Sequence, residues 1–281
     1  MQITLLGTGN PIPDARRAGP STLVHAGGTG GTGGITVLID CGRGVLMRMI
    51  AAGTVPPMLT AVLVTHLHSD HLTDLNDVIT MHWVISPVPQ TLRIYGPVGT
   101  KAFVDHTLAA LAPDIQYRLG HHADLTQGPM VQVTEVVPGD EFSLGSGQVD
   151  VIVGATDHRP VEPTVAFRID DGTHSVVLAG DSIPCATLNA LCLGATAYVQ
   201  TVIREDLVKL VPSQRLQDIL DYHSTIEQAA QTATRAGVET LILTHYVPAI
   251  APGAEDEWRA IAAAHFSGTI VLGDDLTAVE L

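Results

Sequence analysis

Four short apolar runs rich in β-branched residues lead into a histidine or an aspartate: residues 61–65 before His66, 149–153 shortly before His158, 176–179 before Asp181 and 240–244 before His245. Runs of this kind read as buried strands. Strands that end in polar side chains deliver those groups to one edge of a sheet, where loops can gather them into a site. The segments Ala61-Val62-Leu63-Val64-Thr65-His66 and Thr240-Leu241-Ile242-Leu243-Thr244-His245 resemble each other and suggest two related halves facing a shared cleft. Helical patterns lie between the strands. The clearest covers residues 225–236, where Ser224 and Glu227 read as a capping box and Gly237 as the stop. Further helices are expected over residues 72–85 and 99–111.

Nothing linker-like or strongly charged divides the 281 residues, so a single domain spanning 1–281 is expected. Residues 1–6 read directly as a strand, with no basic lead or cleavage site of an export signal, which predicts a cytoplasmic location. No apolar stretch approaches the roughly 20 residues needed to cross a bilayer, so no membrane partner is expected. The three cysteines, Cys41, Cys185 and Cys192, are too few for a disulfide framework and are expected to pack in the core. A formal charge of −15 opposes general attraction to nucleic acid, because phosphate binding draws on Lys and Arg. Arg16, Arg17, Arg43 and Arg48 are the candidates for a local basic patch. The glycine run from Gly27 to Gly34 reads as the tip of a hairpin. It is not a phosphate cradle, since no lysine follows and residues 35–39 form a strand pattern.

The stretch Thr65-His66-Leu67-His68-Ser69-Asp70-His71 packs three imidazoles and a carboxylate into six residues behind a buried strand. Placing such groups together in the interior carries a desolvation cost that a cation would offset, and these donors are the usual ligands of hydrolytic zinc. One zinc takes three or four protein ligands. His66 and His68 can turn to one ion and Asp70 and His71 to a second, so further donors must come from distant strand ends, where His158, Asp181 and His245 stand. His25, His82, His106, His174 and His265 read as surface or hydrogen-bonded residues, and His121 and His122 as a loop or cleft-rim pair. Histidine and carboxylate donors also accept manganese or iron, so a pair of zinc ions is the first expectation and those metals the alternatives.

The order of motifs resembles the metallo-β-lactamase superfamily, whose His-x-His-x-Asp-His signature stands here as His66, His68, Asp70 and His71. The likeness extends through Leu6-Gly7-Thr8-Gly9 with Pro13, Ile39-Asp40-Cys41-Gly42, Ala179-Gly180-Asp181-Ser182, His223-Ser224-Thr225 and Thr244-His245. It is similar to the ribonuclease Z branch, zinc phosphodiesterases that remove the 3′ trailer of precursor tRNA. The resemblance implies an α/β fold of αββα type, two mixed β-sheets packed face to face with helices outside. It also implies one metal on His66, His68 and His158, the other on Asp70, His71 and His245, and Asp181 bridging. His223 falls in the family's His-Ser-Thr element, implicated in acid catalysis. Relatives are frequently homodimers, and the helix expected over residues 72–85 could serve that contact.

The resemblance leads to a dinuclear phosphodiesterase in which Asp70 orients the attacking water and accepts its proton while His223 protonates the leaving alkoxide. Precursor tRNA is the leading substrate. Hydrolysis of a small ester, such as an aryl sulfate or a cyclic nucleotide, is the alternative. It is favoured by the acidic balance and by two departures from the tRNA-processing pattern. The interval Asp170-Asp171-Gly172-Thr173-His174-Ser175 has the length of a hairpin turn where a long RNA-gripping arm would be inserted. His245 is followed by Tyr246-Val247-Pro248 in place of a Ser-Arg-Tyr sequence. A metal-stabilised binding or redox protein without turnover is the third reading.

Overall fold

The computed structural model of the protein describes residues 1–28 and 33–281. Six strands follow one another in the first half: β1 (Gln2–Gly7), β2 (Ser21–Ala26), β3 (Ile35–Ile39), β4 (Ala61–Leu63), β5 (Thr91–Gly96) and β6 (Met130–Glu135). Seven more follow: β7 (Glu141–Leu144), β8 (Val149–Ala155), β9 (Val165–Asp170), β10 (Ser175–Leu178), β11 (Ala197–Ile203), β12 (Thr240–Val247) and β13 (Thr269–Leu272). The last strand, β14 (Thr277–Glu280), returns to pair antiparallel with β1. Two seven-stranded sheets result, ordered β14-β1-β2-β3-β4-β5-β6 and β13-β12-β11-β10-β9-β8-β7. Both are mixed: β3 to β6 run parallel, as do β10 to β13, while the remaining neighbours are antiparallel.

The period-2 alternation of strand side chains explains why these strands are apolar almost throughout. In β3 and β4, Val37, Ile39, Ala61 and Leu63 face inward to a core shared with Val151, Val153, Phe167, Val176 and Leu178 of the other sheet. Leu38, Val62 and Val64 face the opposite way, onto helices Val45–Ala51 and Leu75–Val84. On the far side of the second sheet, Val177, Tyr198 and Leu241 pack under helices Ala186–Cys192, Ile226–Ala236 and Glu255–Ala263. Helix, sheet, sheet and helix therefore form four layers, the αββα sandwich expected from the sequence. No helix among the described residues is long and apolar enough to cross a membrane.

Helices form over Leu75–Val84 and Thr100–Ala110 within the expected stretches. The cap of the helix Ile226–Ala236 differs by one residue. The box is Thr225 with Gln228, because Ser224 is drawn away to donate its hydroxyl to the carbonyl of Ser182 at 2.6 Å. Gly237 ends the helix at φ 68, a left-handed conformation that glycine adopts without steric cost. The expected glycine tip joins the antiparallel strands β2 and β3, and its residues 29–32 lie outside those described. Residues 171–174 close the β9–β10 hairpin as a short turn. Cys41 and Cys192 are buried, Cys185 is half-buried, and all three are free thiols.

Candidate metal centre

Most site residues stand in loops that leave a strand end, and His245 is the exception, lying inside its strand. His66 follows β4, and the 3₁₀ turn Ser69–His71 then reverses the chain so that Asp70 and His71 point back over the same edge. His158 lies three residues beyond β8. Asp181 lies three beyond β10, and His245 sits within β12. The parallel arrangement of β10, β11 and β12 brings their carboxyl ends to one side, where open α/β sheets bind their ligands. His66, His71, His158 and His245 are at most 1% exposed and Asp181 is 3% exposed, while His68 is half-buried.

The donor atoms form two groups, each compact to within 4.8 Å: His66, His68, His158 and Asp181, and beside them Asp70, His71 and His245. In the first, His68 Nδ1 lies 3.1 Å from His66 Nε2 and 3.3 Å from His158 Nε2. In the second, Asp70 Oδ2 lies 3.3 Å from His245 Nε2 and 3.7 Å from His71 Nε2. Asp181 Oδ2 belongs to both. It is 3.8 and 4.0 Å from Nε2 of His66 and His158, and 3.4 and 3.5 Å from Nε2 of His71 and His245. Donors at the corners of a tetrahedron with metal–nitrogen bonds of about 2.0–2.1 Å stand roughly 3.4 Å apart, and the observed separations cluster around that edge.

The hydrogen bonds behind the rings fix which nitrogens face inward. Thr65 Oγ1 donates to Asp40 Oδ2 at 2.8 Å and so accepts from His66 Nδ1 at 3.0 Å. His71 Nδ1 donates to Asp40 Oδ2 at 2.8 Å and His158 Nδ1 to the Tyr222 carbonyl at 2.8 Å. Each of these bonds leaves Nε2 with a lone pair aimed into the cluster, the tautomer a metal ligand requires. His71 Nε2 and Asp181 Oδ1 are buried there with no hydrogen-bond partner among the described residues, and a cation between them would satisfy both. The donor set thus fits hard-to-borderline divalent metals.

Burial pushes the imidazoles of His66 and His68 below the ordinary range, and that of His158 down to about 4, which keeps this group neutral. Burial also opposes a charge on His71 and His245, but the carboxylates together outweigh it and raise both: Asp181 with Asp40 at His71, and Asp181 with Asp70 at His245. Asp181 itself stays ionised, because His245 and His71 overcome the effect of its burial.

His223 joins the cluster. Its Nδ1 donates to the Ile219 carbonyl at 3.0 Å, and its Nε2 lies 3.2 Å from Asp181 Oδ2, closer than any of the other four Nε2 atoms. It does not cap the following helix; Thr225 does. The histidines expected to lie apart from the site stay outside both groups. His25 bonds to Thr36 and His106 and His265 are exposed, but His82 is buried in its helix, a correction to its surface reading; His121 and His122, read as a loop or cleft-rim pair, are exposed, and His121 ends the helix Ala112–His121 instead of lying in a loop.

Asp40 is the residue that sequence reasoning missed. Within Ile39-Asp40-Cys41-Gly42 it carries no assigned role, yet it directly follows β3 much as the candidate donors follow their strands, and that was the available signal. The basic patch needs correction. Arg16 pairs with Asp14, Arg17 with Asp274 and Arg48 with Asp275, and among the described residues only Arg43 of the four makes no ion pair.

The chain is similar to known proteins in both sequence and fold. A family described as the beta-lactamase superfamily domain matches residues 36–246. Ribonuclease Z of Mycolicibacterium gilvum is 55% identical, the match covering 100% of this chain and 96% of the relative. Two solved structures share the fold. A metallo-beta-lactamase fold protein of Bacillus subtilis aligns with a TM-score of 0.73 at 22% identity, over 99% of each chain. The short form of human tRNase Z aligns with a TM-score of 0.69 at 20% identity, over 100% of this chain and 99% of that one.

Proposed function

The chain belongs to the metallo-β-lactamase superfamily and, within it, to the ribonuclease Z family, and from that premise we propose that it is a zinc-dependent endoribonuclease acting on precursor tRNA at its 3′ side. One observation carries the hydrolytic reading: Asp181 Oδ2 lies within 4.0 Å of Nε2 of five histidines. Full-length identity to a curated ribonuclease Z directs that chemistry to RNA.

His66, His68 and His158 would hold one ion, Asp70, His71 and His245 the other, and Asp181 would touch both. Bound there, such a pair supplies Lewis acidity, making water acidic enough to deprotonate near neutrality and offsetting charge on the phosphoryl oxygens. The chain's own groups move the protons. Asp70, ionised because the His245 hydrogen bond and neighbouring imidazoles overcome its burial, orients the attacking water and accepts its proton. His223 carries the proton for the leaving oxygen on Nε2, since its Nδ1 is committed to the Ile219 carbonyl.

A second reading, hydrolysis of a small diester, is favoured by the short β9–β10 turn, which offers no long arm for RNA. Incubating the zinc-loaded protein with a precursor tRNA and with an aryl phosphodiester separates the two. Cleavage of the RNA to a 3′-hydroxyl end and a 5′-phosphate trailer supports the proposal, and turnover of the aryl diester alone rejects it in favour of the second.

A further inference from the structure

His245 is held differently from the other rings that turn Nε2 into the cluster. His66, His71, His158 and His223 each have their Nδ1 engaged by a side chain or a carbonyl, whereas Nδ1 of His245 is buried with no hydrogen-bond partner among the described residues. No bond behind the ring sets its direction. Its backbone is also unusual: φ is 50, in the left-handed region that a non-glycine residue keeps only where its surroundings enforce it.

The enforcement comes from the opposite end of the chain. Tyr246 N–H donates to the Thr8 carbonyl at 3.3 Å, and the Tyr246 carbonyl accepts from Asn10 Nδ2 at 2.6 Å. The residue after His245 is thus gripped on both of its peptide groups by one loop. Asn10 is only 7% exposed, and its Oδ1 accepts from Ile12 N–H at 2.9 Å, so the amide cannot turn without losing both bonds. The loop is anchored in turn by Asp275. Its Oδ1 accepts from the amide and the hydroxyl of Thr8, both at 2.9 Å, and its Oδ2 from Ala18 N–H at 2.7 Å and Arg48 Nε at 2.9 Å.

We infer that Asn10 and Asp275 are positioning residues for His245, setting through the backbone what Asp40 and the carbonyls of Tyr222 and Ile219 set for the other rings through Nδ1. The inference rests on the reading of His245 as a metal ligand. Asn10 makes the direct contact, and Asp275 holds the loop that presents it.

The test is zinc affinity of the full chain, by competition against a chromogenic chelator, with thermal unfolding recorded alongside. Asn10→Asp keeps the acceptor for Ile12 N–H but faces the Tyr246 carbonyl with a carboxylate, whereas Asn10→Ala loses both bonds. Partners behind metal ligands are worth about 10–100-fold in affinity, and a loss of that size is expected for one ion while the other is retained. Should Asn10→Ala fail to fold, Asn10→Asp and Asp275→Asn carry the measurement. Variants that melt earlier yet bind both ions like wild type overturn the inference alone. A wild-type chain that takes up no zinc overturns both it and the ligand reading.

Discussion

Asp40 Oδ2 accepts hydrogen bonds from both His71 Nδ1 and Thr65 Oγ1 at 2.8 Å, so one carboxylate oxygen fixes His71 directly and His66 through the threonine. Its Oδ1 accepts from Thr65 N–H at 2.8 Å, and its φ of 58 shows that the backbone is bent to bring the group there. Asp40→Ala should therefore reduce zinc affinity by about 10–100-fold although Asp40 lies in neither donor group. Chelator competition checks it, and unchanged affinity would strip Asp40 of this role.

Arg43 is exposed, and its loop packs on the metal-binding turn. Cys41 N–H donates to the His71 carbonyl at 2.7 Å, and a Cβ at Gly42 would stand 2.6 Å from the Asp70 carbonyl. A cation that makes no ion pair among the described residues, beside the centre of an acidic protein, is suited to a phosphate next to the scissile one. Arg43→Ala should weaken precursor tRNA binding and lower the slope of log affinity against log salt by about 1. Turnover of a small aryl diester should be unaffected. A filter-binding series over salt concentration reads both quantities, and an unchanged slope contradicts the assignment.

Acid should destabilise the chelator-stripped protein through His158. Its folded value of about 4 lies below the ordinary 6.5, so the unfolded chain binds the extra proton between those limits and stability falls as pH drops through that window. His71 and His245, raised by the carboxylates beside them, act in the opposite sense: their contribution is complete below the ordinary value and is lost as pH rises through the raised ones. Urea midpoints of the metal-free protein should decline from pH 6.5 to 4. The decline should be shallower in His158→Gln, and identical profiles would contradict an origin in this imidazole.

Thr225→Ala should cost about 0.5–2 kcal/mol of stability, because it removes the acceptor of Gln228 N–H at the helix start. Glu227→Ala should cost far less. Equal losses in chemical denaturation would return the cap to the frame read from the sequence.

That one-residue slip shows what the sequence conveys and what it does not. Strand runs and the His and Asp residues that follow them were legible because alternation and apolar content are local properties, and the structure brings those side chains into two neighbouring groups. Ser224 looked like a cap because spacing is all that a sequence offers; its engagement with Ser182 spans 42 residues. Asp40 and Asn10 were illegible as positioning groups for related reasons. Asp40 acts after a left-handed turn of the backbone, and Asn10 meets Tyr246 across 236 residues. The basic patch failed similarly, since Asp274 and Asp275, which neutralise Arg17 and Arg48, arrive from the far end of the chain.

The central claim is that Asp181 joins two groups of donors into one dinuclear hydrolytic centre. Elemental analysis of wild type and Asp181→Ala after dialysis in chelator-free buffer tests it most directly. About two zinc ions per chain are predicted for the wild type, as two-metal hydrolysis requires, with a clear loss in the variant. A wild-type chain without metal, or a variant holding the full complement, would contradict that claim.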